Sequence, residues 1–108
     1  MQDHFIQLNG MPEKEIAPGF QARTIHMEGT SVAHVRITKG ADLPEHHHLN
    51  EQVTNIVQGE LEMTIAGETR VCKPGDVVVI PPHVPHSAKA ISDCYVIDVF
   101  HPVREDFK

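Results

Sequence analysis

The stretch PEHHHLNEQ, residues 44–52, gathers several metal-binding side chains in a chain of 108 residues. Successive residues of a β-strand point to opposite faces, so His46 and His48 share one face while His47 points away. If the strand continues, the same alternation places Gln52 beside them, although a bend would weaken that inference. Two imidazoles and an amide oxygen on one face predict a metal site that needs a further ligand from elsewhere.

The segment PPHVPH, residues 81–86, offers two candidates for that ligand, His83 and His86. One inward-facing imidazole from this proline-rich corner would give three nitrogens and one oxygen with coordination positions left open. Such a set suits a catalytic ion better than a closed structural site. The residues alone leave both histidines open, and a chance cluster of histidines in a polar loop is the alternative to a metal site.

Short runs rich in β-branched residues surround these two segments and are separated by Gly, Pro, Asn and Asp. No window has apolar residues at helical spacing, so the pattern predicts an all-β sandwich or barrel. Residues 1–108 are interpreted as one domain, with an irregular lead-in over about residues 1–22. The predicted strands are SVAHVRI (31–37), QVTNIV (52–57), LEMTI (61–65), TRVC (69–72), VVVI (77–80) and CYVIDVF (94–100).

Composition argues against several classes of protein. The net charge is −6, and the basic residues form no stripe, which disfavours binding to nucleic acid or an anionic membrane. The longest apolar run, Val77–Ile80, is too short to span a bilayer. The segment MQDHFIQLNG, residues 1–10, lacks the regions of a signal peptide, which favours the cytoplasm. Cys72 and Cys94 are predicted to be buried, reduced thiols.

The last predicted strand places Asp98 on the same face as Phe100 and two apolar residues. If that face lines the interior, burial would raise the pKa of the Asp98 carboxyl and suit it to carry a proton. The alternative is that Asp98 accepts hydrogen bonds from a neighbouring strand or pairs with an arginine. Phe100 would form a wall of the pocket or belong to the core.

Two arginines, Arg104 and Arg23, are candidates for binding a substrate carboxylate through a bidentate fork. Either can instead form an ion pair at the surface. For Arg104 the neighbouring carboxylates of Glu105 and Asp106 are the obvious partners.

Two groups of residues, taken in order, resemble the two motifs of the cupin superfamily. In the first group Gln52 stands in place of the usual Glu, and in the second His83 and Ala90 stand in place of Gly and Asn. The resemblance implies a small cupin β-barrel or jelly roll, commonly homodimeric, with a divalent metal in its lumen, and it selects His86 over His83. The matching residues are Gly40, His46, His48, Gln52 and Gly59, followed by Gly75, Pro81 and His86.

A narrower resemblance lies in VIDVFHPVREDF, residues 96–107, which is similar to the ending of pectin-degradation cupins of the KdgF type. Those proteins convert 4,5-unsaturated monouronates into open-chain keto acids, so the resemblance implies a small acidic sugar as substrate. It also implies roles for Asp98 and Arg104 in catalysis and for Phe100 at the substrate. One departure is Asn50, where the subgroup often carries another histidine. The implied metal ligands are His46, His48, Gln52 and His86.

Three neutral imidazoles and a neutral amide would leave the full charge on a bound ion, which favours Lewis-acid chemistry over redox chemistry. These donors do not select among the divalent transition metals, and Ni, Zn, Mn, Fe and Co are all candidates. Two other functions remain open. One is a metal-dependent cupin dioxygenase, and the other is a non-catalytic module that binds a small acid or sugar.

Overall fold

The computed structural model describes residues 4–108, which form two antiparallel β-sheets packed face to face. One sheet has six strands in the order β1-β2-β3-β10-β5-β8, and the other has four in the order β4-β9-β6-β7. The strands are β1 (Lys14–Ala17), β2 (Phe20–His26), β3 (Ser31–Ile37), β4 (Asp42–His46), β5 (Glu51–Gln58), β6 (Leu61–Ile65), β7 (Glu68–Cys72), β8 (Val77–Ile80), β9 (His86–Ala90) and β10 (Cys94–His101). This architecture confirms the predicted all-β jelly roll.

The hydrophobic core lies between the two sheets, because alternate residues of each strand point inward. In β10, for example, Cys94, Val96 and Phe100 are buried. Both cysteines, Cys72 and Cys94, are buried free thiols, as predicted. Two short 3-10 turns, Leu8–Gly10 and Glu105–Phe107, lie near the ends of the chain. Within the described residues no helix is long and apolar enough to cross a membrane.

The expected irregular lead-in over about residues 1–22 contains two strand segments. Strand β1 and the beginning of β2 lie inside it, and β2 pairs with β3 through its whole length, from Phe20 opposite Ile37 to His26 opposite Ser31. Pro12, Pro18 and Gly19 concealed this pattern, because they fall before and between two short strands. Residues 1–3 of the lead-in lie outside the described residues.

The pairing of β4 with β9 is the feature of the fold that assembles the candidate metal site. These strands come from PEHHHLNEQ and from the segment after PPHVPH, and their register places His46 directly opposite His86. Strand β4 ends at His46, so residues 47–50 form a loop before β5 begins at Glu51. The strand therefore does not run on from His46 to Gln52, which was the condition for expecting these side chains on one face, although the three side chains still lie together.

Candidate metal centre and cavity

Three histidine side chains, those of His46, His48 and His86, converge at one end of the space between the sheets. Each offers one ligand atom, and these atoms all lie within 4.8 Å of one another. The ring centroid of His86 is 4.2 Å from that of His46 and 4.8 Å from that of His48. Such a group of imidazoles could bind a divalent transition metal.

All three rings are oriented by a backbone carbonyl. Because a carbonyl oxygen only accepts hydrogen bonds, Nδ1 of each ring must donate and carry the proton, and in the neutral ring Nε2 keeps its lone pair. Burial lowers the pKa of His86 to about 4. It also lowers the pKa of His48, so both rings are neutral at pH 7. The accepting carbonyls are those of Pro44 for His46 (2.9 Å), Asn50 for His48 (3.0 Å) and Val84 for His86 (2.8 Å).

The side-chain amide of Gln52 adds an oxygen to this group. Its Nε2 donates to Thr54 Oγ1 at 2.9 Å, which turns Oε1 toward His48 Nε2 at 3.1 Å. With the proton of His48 on Nδ1, these two atoms are both acceptors and cannot hydrogen-bond to each other. A separation of about 3 Å is what two ligands of one cation have when each bond is about 2.1 Å long.

The buried Nε2 atom of His86 also indicates that a cation binds here. It has no hydrogen-bond partner among the described residues, and a buried polar atom without a partner carries a desolvation cost. A divalent cation would satisfy this nitrogen together with the facing acceptors of His48 and Gln52. The donor set therefore fits the metal that the sequence predicts, and it leaves the identity of that metal open.

A cavity of about 230 Å³ adjoins the imidazoles. Its polar wall includes His46, His86, Gln52 and Asp98, while its inner part is lined by apolar residues of both sheets. Of the lining residues Asp106 is the most exposed, with a side chain that is 64% exposed, and it lies beside Arg104. The apolar lining residues are Ile16, Ala17, Phe20, Val35, Ile37, Leu43, Leu61, Met63, Ala88, Val96, Phe100 and Phe107.

Asp98 is the acidic group inside this cavity, and it faces inward from β10 opposite Thr54 of β5. Burial raises the pKa of its carboxyl to about 6, and the Thr54 hydroxyl, the Arg104 charge and the Gln52 amide offset part of that rise. Its buried Oδ1 accepts no hydrogen bond from the described residues. Such a carboxyl changes protonation near neutral pH, which is what a proton carrier requires.

Phe100 and Arg104 complete the wall of the cavity. Phe100 is 2% exposed, and its ring centroid lies 6.0 Å from that of His48. The ζ carbon of Arg104 lies 4.7 Å from the centre of the Phe100 ring, and its guanidinium forms an ion pair with Asp106. Arg104 thus lines the cavity while it makes the ion pair that the sequence offered as an alternative.

The structure does not place Arg23 at the cavity, so its predicted contact with substrate is not supported. Its neighbours Ala22 and Thr24 face the core, which turns Arg23 to the outer side of the six-stranded sheet. There its Nε donates to the carbonyl of Met11 at 2.8 Å, and Nη1 lies 3.5 Å from Glu13. The alternative interpretation, an ion pair, is the one observed.

The two remaining histidines of the motifs, His47 and His83, are exposed and lie together, with ring centroids 6.2 Å apart. The group of converging imidazoles contains His86 and not His83. The backbone of His83 has a φ of 64°, and its N–H donates to the carbonyl of His48 at 2.7 Å. His83 therefore fixes the loop that carries His48 through its backbone, and its ring points elsewhere.

Sequence reasoning missed two residues that support the site. Thr54 orients the Gln52 amide, and its place two residues further along the same strand is a signal that could have found it. The side-chain amide of Asn50 is buried and donates to the carbonyls of Pro102 and Val103, which ties the His48 loop to the C-terminal segment. No local pattern predicts that second contact, because the partners are about 50 residues apart.

The fold and the group of imidazoles define the class of this protein. The profile of the cupin domain matches residues 33–100, which is more than half of the chain. The chain therefore belongs to the cupin domain family.

Within that family the chain is similar to KdgF proteins over nearly its whole length. The pectin degradation protein KdgF of Dickeya dadantii is 29% identical over 110 residues, which cover 99% of each chain. The structure of KdgF from a Halomonas species has 32% identity and a TM-score of 0.91, with coverage of 99% of this chain and 100% of that one. An RmlC-like cupin from Shewanella frigidimarina has 30% identity and a TM-score of 0.93, with coverage of 99% and 97%.

Proposed function

We propose that this cupin opens the ring of 4,5-unsaturated monouronates, products of pectin and alginate breakdown, to give linear keto acids. The observation that carries the proposal is one cavity whose wall includes two of the three grouped imidazoles, those of His46 and His86, together with the Asp98 carboxyl and the Arg104 guanidinium. The likeness to KdgF proteins, one of them described as a pectin degradation protein, supports the same substrate class.

The proposed ligands of the metal are His46, His48, Gln52 and His86. When bound there, a divalent ion supplies a Lewis acid that stabilises negative charge on the departing ring oxygen, and four neutral ligands leave its charge undiminished. The oriented Nδ1–H groups fix each ring, so the ligand atoms are preorganised.

Asp98 is proposed as the proton carrier of the reaction. In its ionised form it accepts the proton of the anomeric hydroxyl as the bond between C1 and the ring oxygen breaks. C1 becomes an aldehyde, and the former ring oxygen keeps the bonding electrons as an enolate conjugated with C4. Asp98 then returns its proton to C4, which produces the C5 ketone, so that atoms and charge balance without a further reactant. A pKa of about 6 lets one carboxyl act in both directions near neutral pH.

Arg104 is proposed to bind the substrate carboxylate, and Phe100 to form the wall against which the sugar ring lies. Arg104 lines the cavity next to the exposed Asp106, and a guanidinium matches a carboxylate through paired hydrogen bonds. Its charge would also orient the substrate before the proton is transferred.

The decisive experiment mixes metal-loaded protein with unsaturated monouronate generated by a lyase and follows the loss of ultraviolet absorbance of the conjugated double bond. Loss much faster than with a His48→Ala variant is expected, because that variant lacks one predicted metal ligand. Equal decay with both proteins would rule out the proposed reaction.

A second candidate function is a metal-dependent dioxygenase that acts on a more apolar acid. The observation that favours it is the apolar inner part of the cavity, which includes Phe20, Leu61 and Met63. Oxygen consumption with such an acid would support it. A non-catalytic binding module is less favoured, since the cavity is open and Asp98 faces it.

The protein is further proposed to act as a homodimer in the cytoplasm. Support for a dimer comes from the outer face of the six-stranded sheet, where β5 and β8 expose several valines. The exposed valines are Val53, Val57, Val77 and Val79.

A further inference from the structure

Asp106, in the C-terminal turn Glu105–Phe107, forms paired hydrogen bonds with Arg104, the arginine that lines the cavity. Asp106 Oδ1 accepts from Arg104 Nε at 3.0 Å, and Asp106 Oδ2 accepts from Nη2 at 2.8 Å. This is the paired geometry of a guanidinium with a carboxylate, and it occupies one edge of the planar group. The hydrogen bonds from Arg104 lower the pKa of the Asp106 carboxyl, so the pair is ionised at neutral pH.

Three further contacts hold Arg104 in place. Its backbone N–H donates to the hydroxyl of the fully buried Ser31 at 2.9 Å. Its ζ carbon lies 4.0 Å from the centre of the Phe107 ring and 4.7 Å from that of Phe100, within the range of cation–π attraction. Its side chain is only 12% exposed, so the guanidinium has little freedom to leave the cavity wall.

The opposite edge of the guanidinium is available for a ligand. A guanidinium has five N–H donors, and the pair with Asp106 uses one on Nε and one on Nη2. Among the described residues no side chain or carbonyl accepts a hydrogen bond from the other three, two of which lie along the Nη1–Nη2 edge. Arg104 lines the cavity together with Asp98 and His86, and its ζ carbon lies 4.7 Å from the centre of the Phe100 ring, whose centroid is 6.0 Å from that of His48.

We infer that Asp106 is a positioning residue for substrate binding: by holding one edge of Arg104, it presents the opposite edge to the carboxylate of an acid in the cavity. The inference rests on the proposed function and deepens it, because it assigns carboxylate selection to a pair of residues rather than to Arg104 alone. It also gives the C-terminal turn a function, since the turn carries both Asp106 and the Phe107 ring.

The test compares Asp106→Asn with the matched control Glu105→Gln in the metal-loaded protein. Glu105 lies on the same turn and is exposed, but it pairs with Lys108 instead of Arg104. Binding of galacturonate, a saturated acid that cannot react, is measured by calorimetry, and turnover of the unsaturated monouronate by absorbance.

For Asp106→Asn we expect the Kd for galacturonate and the KM for the unsaturated acid to rise about three- to tenfold, the factor expected when one side chain loses its fixed orientation. The value of kcat should stay within about twofold, because the proton carrier is untouched. Glu105→Gln should match the wild type. In an Arg104→Gln background, Asp106→Asn should not raise the Kd or the KM any further. If Asp106 had only a structural role, the two substitutions would instead have additive effects.

Unchanged or tighter binding by Asp106→Asn would overturn the inference, and tighter binding would show that Asp106 competes with the ligand. An equal loss in the Arg104→Gln background would overturn it as well. If the wild-type protein binds galacturonate but does not convert the unsaturated monouronate, only the proposed function is contradicted. If the wild type converts the monouronate and Asp106→Asn leaves its KM unchanged, only this inference is contradicted. Failure of the wild type to bind either acid would contradict both.

Discussion

Among single residues, Asp98 is an acid whose ionised state is unfavourable in the cavity. Its Oδ1 is buried and accepts no hydrogen bond within residues 4–108, and burial raises the pKa of the carboxyl from 3.8 to about 6. A raised pKa means that the folded state prefers the protonated acid. The contribution of Asp98 to stability is therefore fully present below about pH 3.8 and is lost as the pH rises through 6.

Because the pKa of Asp98 is raised, its ionised form should destabilise the metal-free protein above about pH 6. Asp98→Asn should raise the free energy of unfolding at pH 7.5 by up to about 3 kcal/mol, because one pKa unit corresponds to about 1.4 kcal/mol. The gain should shrink toward zero near pH 4. Urea unfolding in the presence of a chelator at both pH values measures it. A variant less stable than the wild type at pH 7.5 would show that the ionised carboxylate has a stabilising partner.

The orientation of Asp98 could be predicted from the sequence, whereas other parts of the site could not. Alternation along β10 places Asp98 on the inward face, and that local rule is sufficient. His48 also lies beside the other predicted ligands, but strand alternation is not the reason. It lies in a loop that is fixed by the backbone of His83. The register of His46 opposite His86 joins segments 40 residues apart, and no local pattern determines such a pairing.

Among the structural elements, the turn between β5 and β6 depends on Gly59, the last glycine of the first motif. Gly59 has a φ of 85°, and a Cβ there would lie 2.1 Å from the backbone oxygen of Asp93 and 2.9 Å from Cys94 Cα. Gly67, in the β6–β7 hairpin, has a similar φ of 84° but open space around it. Alanine at Gly67 therefore adds only an unfavourable backbone conformation, whereas alanine at Gly59 adds both that conformation and a steric clash.

Gly67→Ala should lower the free energy of unfolding by about 1 kcal/mol, the cost of a left-handed conformation for alanine. Gly59→Ala should lower it by about 3 kcal/mol or more, because backbone atoms before β10 must also move. Denaturant unfolding of both variants measures the difference. Equal effects of the two substitutions would mean that the β5–β6 turn does not pack as described.

Strand prediction succeeded where the local pattern was clear. The bounds of β3, β6 and β8 match the predicted ones, because β-branched residues alternate or cluster there and turn residues follow. Strand β9, with the sequence HSAKA, was missed because alanine and lysine have low strand propensity. Its pairing with β4 and β6 outweighs that propensity, and this is a tertiary effect that single-sequence reasoning does not contain.

For the molecule as a whole, the outer face of the six-stranded sheet has an apolar surface at its β8 edge. Val77 and Val79 of β8 are 58% and 66% exposed, and Val79 lies opposite Val53 of β5. Adjacent exposed apolar residues on a sheet are typical of a surface that binds another protein, and the proposed homodimer would bury them.

Val79→Lys should convert the proposed dimer into a monomer, because a charge would be buried at the interface without a partner. Val71→Lys is the control, since Val71 is also exposed but lies on β7 of the other sheet. Light scattering coupled to gel filtration gives the mass. A monomeric wild type at micromolar concentration, or dissociation by both substitutions, would contradict the proposed interface.

The ion of the proposed reaction is expected to bind to His46, His48, Gln52 and His86, beside the cavity. Metal content per chain, measured by elemental analysis after loading and desalting, tests it most directly when each predicted ligand is compared with its exposed neighbour. We expect about one ion per chain in the wild type, His47→Ala and His83→Ala, and a large loss in His46→Ala and His86→Ala. Full retention by His86→Ala, or equal loss from His47→Ala, would contradict the account.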